Sequence, residues 1–165
     1  MSDDINLDEG QNEEMPGGVK IIREEGLGYT LTVKREDLLK AAAGLKEAGF
    51  DLFKFISGVD YPDRIKLVYR VFSTKRQNRF GIFMKTEVPK SDPIIDSLVH
   101  IWPAANWHER ETYDLYGMEF KGHPNLRRIF MPDDWVGHPL RKDYSDDRMI
   151  VGPFNLVADS SKKES

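Results

Sequence analysis

The sequence has no cysteine among its 165 residues, which excludes disulfide bonds, thiolate nucleophiles, and zinc sites or iron–sulfur clusters held by cysteines of this chain. It has no apolar run near the ~18 residues that a membrane-spanning helix requires. It also lacks a glycine-rich phosphate loop and a serine or threonine in the setting of an activated nucleophile. The acidic start differs from a secretory signal, so we expect a single domain that is not exported.

Charge is distributed unevenly along the chain. Residues 1–15 carry six acidic residues and no lysine or arginine, so the remainder, with 24 basic and 22 acidic residues, has a net charge of about +2. Pro16-Gly17-Gly18 follow this acidic stretch. The composition predicts that residues 1–18 form an acidic disordered tail and linker. The near-neutral remainder gives no electrostatic indication of nucleic-acid binding.

Four segments in which apolar residues alternate with polar ones predict half-buried β-strands. They lie around residues 29–33, 53–55, 65–71 and 80–84. Polar turns separate the last three segments, at Asp60-Tyr61-Pro62-Asp63 and around residues 75–78. Such short connections favour an antiparallel meander.

Three segments with a helical apolar period predict α-helices. They run from about residue 35 to 48, from Ser91 or Asp92 to Trp102, and from about Asn106 to Tyr116. Gly49 and Gly117 follow the first and third, where a left-handed cap is favoured, and Pro103 would end the second. With the helices on one face, residues 19–130 are predicted to form an α+β two-layer sandwich on a mixed, largely antiparallel sheet.

The unusual residue types are concentrated between His100 and Arg148. This window holds all four histidines and all three tryptophans, and beyond Gly117 glycine and proline are too frequent for a regular helix or strand. About thirty residues without their own periodicity are long for a compact domain. We therefore expect residues 131–165 to be an extended C-terminal arm that lies along its own domain or along a partner.

The histidines suggest a metal site, which would make the protein a free-standing histidine-metal enzyme. Their spacings of 8, 15 and 15 residues match no ligand motif. Glu109 and Glu111 could be a catalytic pair of carboxylates, but two residues apart on a helix they point to different faces. Arg110 and Asp114, four apart, are expected to form a weak ion pair of ~0.2–0.5 kcal/mol.

Two dibasic pairs offer a binding surface instead of a catalytic set. Arg127-Arg128 suit phosphate or the carboxylates of a partner protein, and Arg141-Lys142 lie further along the arm. Because Phe130 and Trp135 lie between these basic pairs in the sequence, a nucleic-acid-binding module is a further hypothesis. The near-neutral net charge of the rest of the chain disfavours it.

The segment from residue 101 to 144 resembles one known family. Ile101-Trp102-Pro103-Ala104-Ala105-Asn106, Trp107 to Phe120 (WHERETYDLYGMEF), Gly122 to Ile129 (GHPNLRRI) and Trp135 to Tyr144 (WVGHPLRKDY) are similar to the signature of the C subunit of NADH-quinone oxidoreductase, the 30 kDa subunit family of respiratory complex I. Residues 19–90 fit more loosely, by the order of their elements. Asn125 stands where an acid is common in the family.

The resemblance implies a peripheral-arm subunit that binds no cofactor or metal and contributes no catalytic residue. In such a complex electrons pass from NADH through FMN and iron–sulfur clusters of partner subunits to quinone. The chain would pack mainly on the D subunit, near the B and I subunits, at the cytoplasmic face of the membrane. The same scaffold occurs in photosynthetic, cofactor-F420 and hydrogenase relatives of the complex, which leaves the electron donor open.

Carried over by position, the resemblance also implies roles for individual residues. Four charged residues would fix the signature helix: Glu109, Arg110, Glu111 and Asp114. Tyr113 and Tyr116 of the same helix would contribute packing contacts. Three would brace the turn after it: His123, Arg127 and Arg128. Five would dock the arm on partner subunits: Trp135, His138, Pro139, Arg141 and Lys142.

Overall fold

A mixed sheet forms the centre of the computed structural model, which describes residues 13–15, 19–24, 28–75 and 81–146. Within these ranges the sheet has six strands: β1 Glu13–Met15, β2 Val19–Glu24, β3 Gly28–Thr32, β4 Leu52–Asp60, β5 Arg64–Phe72 and β6 Gly81–Pro89. Their order across the sheet is β1-β2-β3-β6-β5-β4, and only β3 and β6 pair in parallel. The predicted meander is confirmed as β4-β5-β6.

The alternation of strand β5 places one of its faces in the hydrophobic core. Ile65, Leu67, Tyr69 and Val71 are fully buried, whereas the residues between them are half-exposed. Alternate residues of β6 lie beside them, because β5 and β6 pair in register along their whole length. The alternation of apolar and polar residues in the sequence therefore predicts correctly which face of β5 is buried.

Two helices cover that face. Helix α1 spans Leu38–Glu47 after a short 3-10 turn, and α2 spans Ala105–Tyr116 and ends at Gly117, whose φ of 70° is left-handed. Leu38, Ala42 and Leu45 of α1 share one buried cluster with the core face of β5. The predicted first and third helices and the α+β class are confirmed.

The predicted helix from residue 91 to Trp102 is wrong. This segment contains a three-residue strand, β7 (Ile94–Asp96), which pairs in parallel with β8 (Glu119–Lys121), followed by turns. Its apolar residues Ile95, Leu98 and Trp102 are buried, as a helical face would be. The spacing therefore indicated burial correctly for these three residues but not for Ile94, which is 41% exposed, and long-range backbone hydrogen bonds determine a different conformation.

Both ends of the chain lie partly outside the described residues. In the predicted tail 1–18, residues 13–15 form strand β1, whereas residues 1–12 and 16–18 lie outside the described residues. Residues 147–165 of the predicted arm and the loop 76–80 also lie outside them. The described part of the arm contains turns and no strand or helix. Within the described ranges, no helix has the length and apolarity to cross a bilayer. The domain boundaries stay a prediction.

Candidate functional site

Asp114, on the last turn of α2, holds the start of the arm by its buried carboxylate. Its Oδ1 accepts a hydrogen bond from Arg128 Nη1 at 2.6 Å, and its Oδ2 accepts from the backbone N–H groups of Ile129, Phe130 and Met131 at 3.0, 2.8 and 2.9 Å. Burial alone would raise the pKa of Asp114, but these donors outweigh it and lower the pKa. The carboxylate is therefore ionised and fully paired.

Arg128 extends this network from the helix into the arm. Its Nη2 donates to the backbone oxygens of Trp135 and Gly137 at 3.0 and 3.1 Å. Its side chain is only 13% exposed, so the guanidinium acts inside the chain and is not presented to a ligand. The adjacent Arg127 has an exposed side chain.

The arm caps the C-terminus of α2. His138 Nδ1 lies 2.9 Å from the backbone oxygen of Asp114, Leu140 N–H donates to Leu115 O at 3.0 Å, and Arg141 Nε donates to Tyr116 O at 2.6 Å. These carbonyls have no partner within the helix, since they belong to its last turn. Two arginines near this end also complement the negative end of the helix dipole.

Gly117 allows the arm to approach this closely. A Cβ built on Gly117 would lie 2.5–2.6 Å from the imidazole ring of His138 and 3.1 Å from Arg141 Nη2. Its φ of 70° also disfavours any residue with a side chain. The glycine therefore ends the helix and makes room for the arm.

A second attachment, which the sequence did not indicate, joins the arm to the sheet. Asp60, at the end of β4, is buried; its carboxylate contacts Lys90 Nζ at 2.8–2.9 Å and accepts from Lys142 N–H at 2.8 Å. Burial opposes ionisation of Asp60, but Lys90 and the Lys142 amide prevail, and the pKa is lowered. Asp60 lies in a predicted turn, and no sequence signal links it to a residue 82 positions away.

Arg110 is buried and does not pair with Asp114, so the predicted i, i+4 ion pair is wrong. Arg110 Nε and Nη2 donate instead to the backbone oxygens of Arg127 and Arg128 at 3.2 and 3.4 Å. Asp114 is saturated by the arm, which explains why no oxygen remains for Arg110. The guanidinium also lies 5.0 Å from the ring centroid of Trp107, a cation–π contact.

Glu109 faces the core on the other side of α2. It is fully buried, and its carboxylate accepts from Ser97 Oγ at 2.6 Å and Leu98 N–H at 2.7 Å. Burial raises the pKa of Glu109 to about 7, against the hydrogen bonds that lower it. Glu111 is 44% exposed, which confirms that the two carboxylates point to different faces. They form no catalytic pair.

The four histidines make separate contacts. His100 Nε2 lies 3.2 Å from Gly122 O, His108 is 3.8 Å from Glu111, His123 Nδ1 accepts from Asn125 N–H, and His138 contacts α2. Burial lowers the pKa of both His123 and His138, and nearby arginines act in the same direction. No group of three metal-binding side chains occurs among the described residues, which include all four histidines.

The predicted site residues thus separate into two sets. Those that meet at the C-terminal end of α2 are Arg110, Asp114, Arg128, His138 and Arg141, with the backbone of Trp135. Those that lie elsewhere are Glu109, Glu111, His123 and Arg127. Pro139 is half-exposed beside the first set, and Lys142 is held by its backbone while its side chain is exposed.

Large apolar side chains remain exposed on α2 and on the attached segment that follows it. Trp107 is 64%, Phe130 61%, Val136 77% and Leu140 49% exposed. The backbone of Phe130 is bonded to Asp114, and that of Leu140 to Leu115, so the side chains are presented by a fixed main chain. We call these four residues the apolar surface of the arm. Fixed, exposed aromatic and aliphatic residues are typical of an interaction site.

Relatives of known identity are similar to this chain in sequence. Residues 31–148 match the family described as "Respiratory-chain NADH dehydrogenase, 30 Kd subunit". A Geobacter metallireducens protein, named as the C subunit of NADH-quinone oxidoreductase, is 42% identical over 137 residues, covering 80% of this chain and 83% of that protein. A Nocardioides sp. protein of the same name is 47% identical over 122 residues, covering 70% of this chain but only 48% of that protein. The chain therefore spans about half of the second relative.

Two solved structures share the fold. One, described as the trypsin-resistant fragment (1-134) of Nqo5, is 33% identical with a TM-score of 0.59, covering 66% of this chain and 90% of that one. The other belongs to a membrane-bound sulfane sulfur reductase, an archaeal respiratory membrane complex; it is 26% identical with a TM-score of 0.64, covering 71% of each chain. Both have the α+β fold that the sequence predicts.

Proposed function

This chain belongs to the 30 kDa subunit family of the respiratory-chain NADH dehydrogenase, and we propose that it acts as a cofactor-free peripheral-arm subunit of an NADH-quinone oxidoreductase. It contributes no catalytic residue. NADH oxidation, FMN and the iron–sulfur clusters belong to partner subunits in this proposal, and electrons pass through those partners to quinone. The chain scaffolds the partners near the quinone site.

The observation that carries this proposal is the apolar surface of the arm. A segment of irregular structure normally folds its apolar residues inward or stays mobile. Here Asp114 and the last carbonyls of α2 fix the main chain, while Phe130 and Val136 are 61% and 77% exposed. When such side chains are held on a rigid main chain, less conformational entropy is lost on binding a partner.

The partner implied by this surface is a protein with a complementary apolar groove. We propose the D subunit of the complex as that partner, with the B and I subunits nearby, and a position at the cytoplasmic face of the membrane held through these subunits. Exposed Arg127 and Lys142 flank the apolar surface and suit carboxylates at the rim of the interface. The contribution of Arg110, Asp114 and Arg128 is then to fix the arm, not to touch the partner.

Co-purification tests this proposal. The tagged chain is isolated from its own cells in a mild detergent, and its companions are identified by mass spectrometry and by the absorbance of iron–sulfur clusters and flavin. We expect the D, B and I subunits together with membrane subunits. A colourless chain that is recovered alone at low salt contradicts the proposal.

A pair of variants tests the surface itself. Phe130→Glu with Val136→Glu changes two exposed side chains and leaves the bond from the Phe130 amide to Asp114 in place, so we expect the chain to fold and recovery of the complex to fall at least about tenfold. Leu39→Glu is the matched control, because Leu39 is an exposed leucine, 40% accessible, on α1. Equal recovery of the complex with both variants places the interface elsewhere.

A related complex with another electron donor is a second candidate. The likeness to a chain of a sulfane sulfur reductase supports it, because the same fold serves there in a respiratory membrane complex. The scaffold role is the same in both cases. The donor-oxidising subunit recovered in the purification distinguishes them.

A further inference from the structure

The side of the sheet that points away from the two helices carries apolar side chains, whereas the open side of an antiparallel sheet is commonly polar. Its residues on β5 alternate with the buried ones, and they pair with residues of β4 and β6. Three of the residues on this side are phenylalanines, and each is half-exposed. We call six residues of this side the outer face: Leu52, Phe55, Val68, Arg70, Phe72 and Phe83.

Arg70 lies at the centre of the outer face between two aromatic rings. Its guanidinium carbon is 3.9 Å from the centroid of Phe83 and 4.6 Å from that of Phe72. The absence of a side chain at Gly81 makes this arrangement possible, since a Cβ there would lie 2.6 Å from the Phe72 ring and 2.9 Å from Arg70 Nη2. The rings and the glycine together hold the cation in one place.

The Arg70 guanidinium has no anionic partner within the described residues. Its Nη1 is buried without a hydrogen-bond acceptor there, and burial lowers the pKa of Arg70 with no carboxylate opposing it. By contrast, Arg64 and Lys66, on the same side of the same strand, contact Glu87 at 3.1 and 3.7 Å. A buried donor without an acceptor destabilises a protein, so the position of Arg70 favours the binding of an anion.

We propose that a partner subunit covers the outer face with a segment whose carboxylate binds the Arg70 guanidinium and whose neighbouring side chains are apolar. The inference rests on the proposed function, because the partner is another subunit of the same complex. It adds a second interface, on the side of the sheet away from α2. The apolar surface of the arm is then one of two contacts that this chain makes with its partners.

The chemistry around Arg70 favours a protein carboxylate over a nucleic acid. The N–H groups of a guanidinium match the two oxygens of one carboxylate. A nucleic acid would require several cations for successive phosphates, but Arg64 and Lys66 are already paired with Glu87. The rings of Phe72 and Phe83 provide apolar surface beside the cation, which suits the side chains that flank an acidic residue in a protein segment.

Two single-cysteine variants measure whether the outer face is covered in the complex. Because the chain has no cysteine, Leu52→Cys and Leu39→Cys each carry one thiol. The two leucines are matched in exposure, 44% and 40%, but Leu52 pairs with Phe72 on the outer face and Leu39 lies on α1. The full chain alone and the co-purified complex are treated with a maleimide, and the labelled peptides of this chain are quantified by mass spectrometry.

We expect the thiol of Leu52→Cys to react at least about tenfold more slowly in the complex than in the chain alone, because a partner excludes the reagent. The thiol of Leu39→Cys should react at the same rate in both. Equal rates at Leu52→Cys, or equal slowing at both positions, overturn the proposal.

Substitution of Arg70 tests the role of the carboxylate. When Arg70→Gln is added to Leu52→Cys, the thiol in the complex should react as fast as in the chain alone, because the partner's anion has lost its cation. Arg64→Gln is the matched control, since it removes one positive charge from the same strand but from an arginine already paired with Glu87. The control retains the protection. Protection that survives Arg70→Gln contradicts the proposal.

Photochemical cross-linking identifies the occupant without any change at Arg70, so it decides the outcome even if Arg70→Gln does not fold. A benzophenone is attached to the thiol of Leu52→Cys in the purified complex, and the cross-linked peptides are sequenced. We expect a peptide of another subunit that contains aspartate or glutamate. A cross-link to this chain's own residues 1–12 or 147–165, a cross-link to nucleic acid, or none, overturns the proposal.

The outcomes separate this inference from the proposed function. If the companion subunits are recovered but Leu52→Cys is not protected, only the contact at the outer face is refuted. If the chain is recovered without companions, the proposed function fails and this inference fails with it.

Discussion

Asp114 and Arg128 form a buried ion pair 2.6 Å apart that joins the end of α2 to the arm. Of the two side chains, that of Asp114 is completely inaccessible and that of Arg128 is 13% exposed. Three consecutive backbone N–H groups complete the coordination of the carboxylate. The Asp114 carboxylate thus uses both of its oxygens to join the start of the arm to the end of α2.

Asp114→Asn is expected to destabilise the chain by about 3–5 kcal/mol, because it leaves the Arg128 guanidinium buried without an anion. Unfolding in urea, followed by circular dichroism, measures the change. Asp133→Asn is the control, since Asp133 is exposed on the same arm and its removal should leave the midpoint unchanged. Equal midpoints for the two variants would mean that the ion pair does not support the fold.

Glu109 makes stability depend on pH between about 4.5 and 7. Its folded pKa, about 7, lies above its ordinary value of 4.5, so the folded state retains a proton that the unfolded state has lost. The contribution of Glu109 to the free energy of unfolding is therefore fully present below pH 4.5. It is lost, by about 3 kcal/mol, as the pH rises through 7. Glu109→Gln should remove that slope.

The comparison of the unmodified chain with Glu109→Gln isolates this effect. His123 and His138 contribute the opposite slope below pH 6.5, because burial lowers their pKa and the unfolded state then binds more protons. That contribution is common to both proteins and cancels in their difference. A difference in unfolding free energy that is flat from about pH 4.5 to about 7.5 would show that Glu109 is ionised throughout.

Gly117→Ala should destabilise the chain more than Gly122→Ala does. Both positions have positive φ, 70° and 83°, so each alanine costs about 1 kcal/mol of backbone strain. Only at residue 117 would the new methyl group meet the ring of His138, whereas nothing lies within 4 Å at residue 122. Faster exchange of the Leu140 amide in Gly117→Ala alone would show that the arm has been displaced.

Truncation after residue 130 tests the predicted domain boundary. The shortened chain loses seven hydrogen bonds between the arm and the rest of the chain, a loss of the order of 7 kcal/mol at ~1 kcal/mol for each bond. A chain ending at residue 146 retains all described contacts and is the control. If the chains ending at residues 130 and 146 unfold at the same denaturant concentration, residues 19–130 form an independent unit, as the sequence predicted. The contacts between Asp114 and the arm lead us to expect the opposite result.

The sequence predicted most of the fold, since strand β5 and helices α1 and α2 have a clear period and glycine follows both helices. It failed between Ser91 and Trp102, where the carboxylate of Glu109 binds Ser97 and the amide of Leu98, a contact that no local pattern contains. It also failed for Arg110 and Asp114. Both residues are on the helix as expected. However, each finds several hydrogen-bond partners in the backbone of the segment that follows the helix, whereas a pair between them would supply only one.

The bond from the Lys142 amide to Asp60 connects residues 82 positions apart. Closing so long a loop is entropically costly before the sheet and α2 exist, so we expect this bond to form late in folding. The apolar surface of the arm is consequently assembled only on a chain whose β4 and α2 are already in place. A partner that recognises this surface therefore selects finished molecules from partly folded ones, which makes its binding a check on the quality of the folded chain.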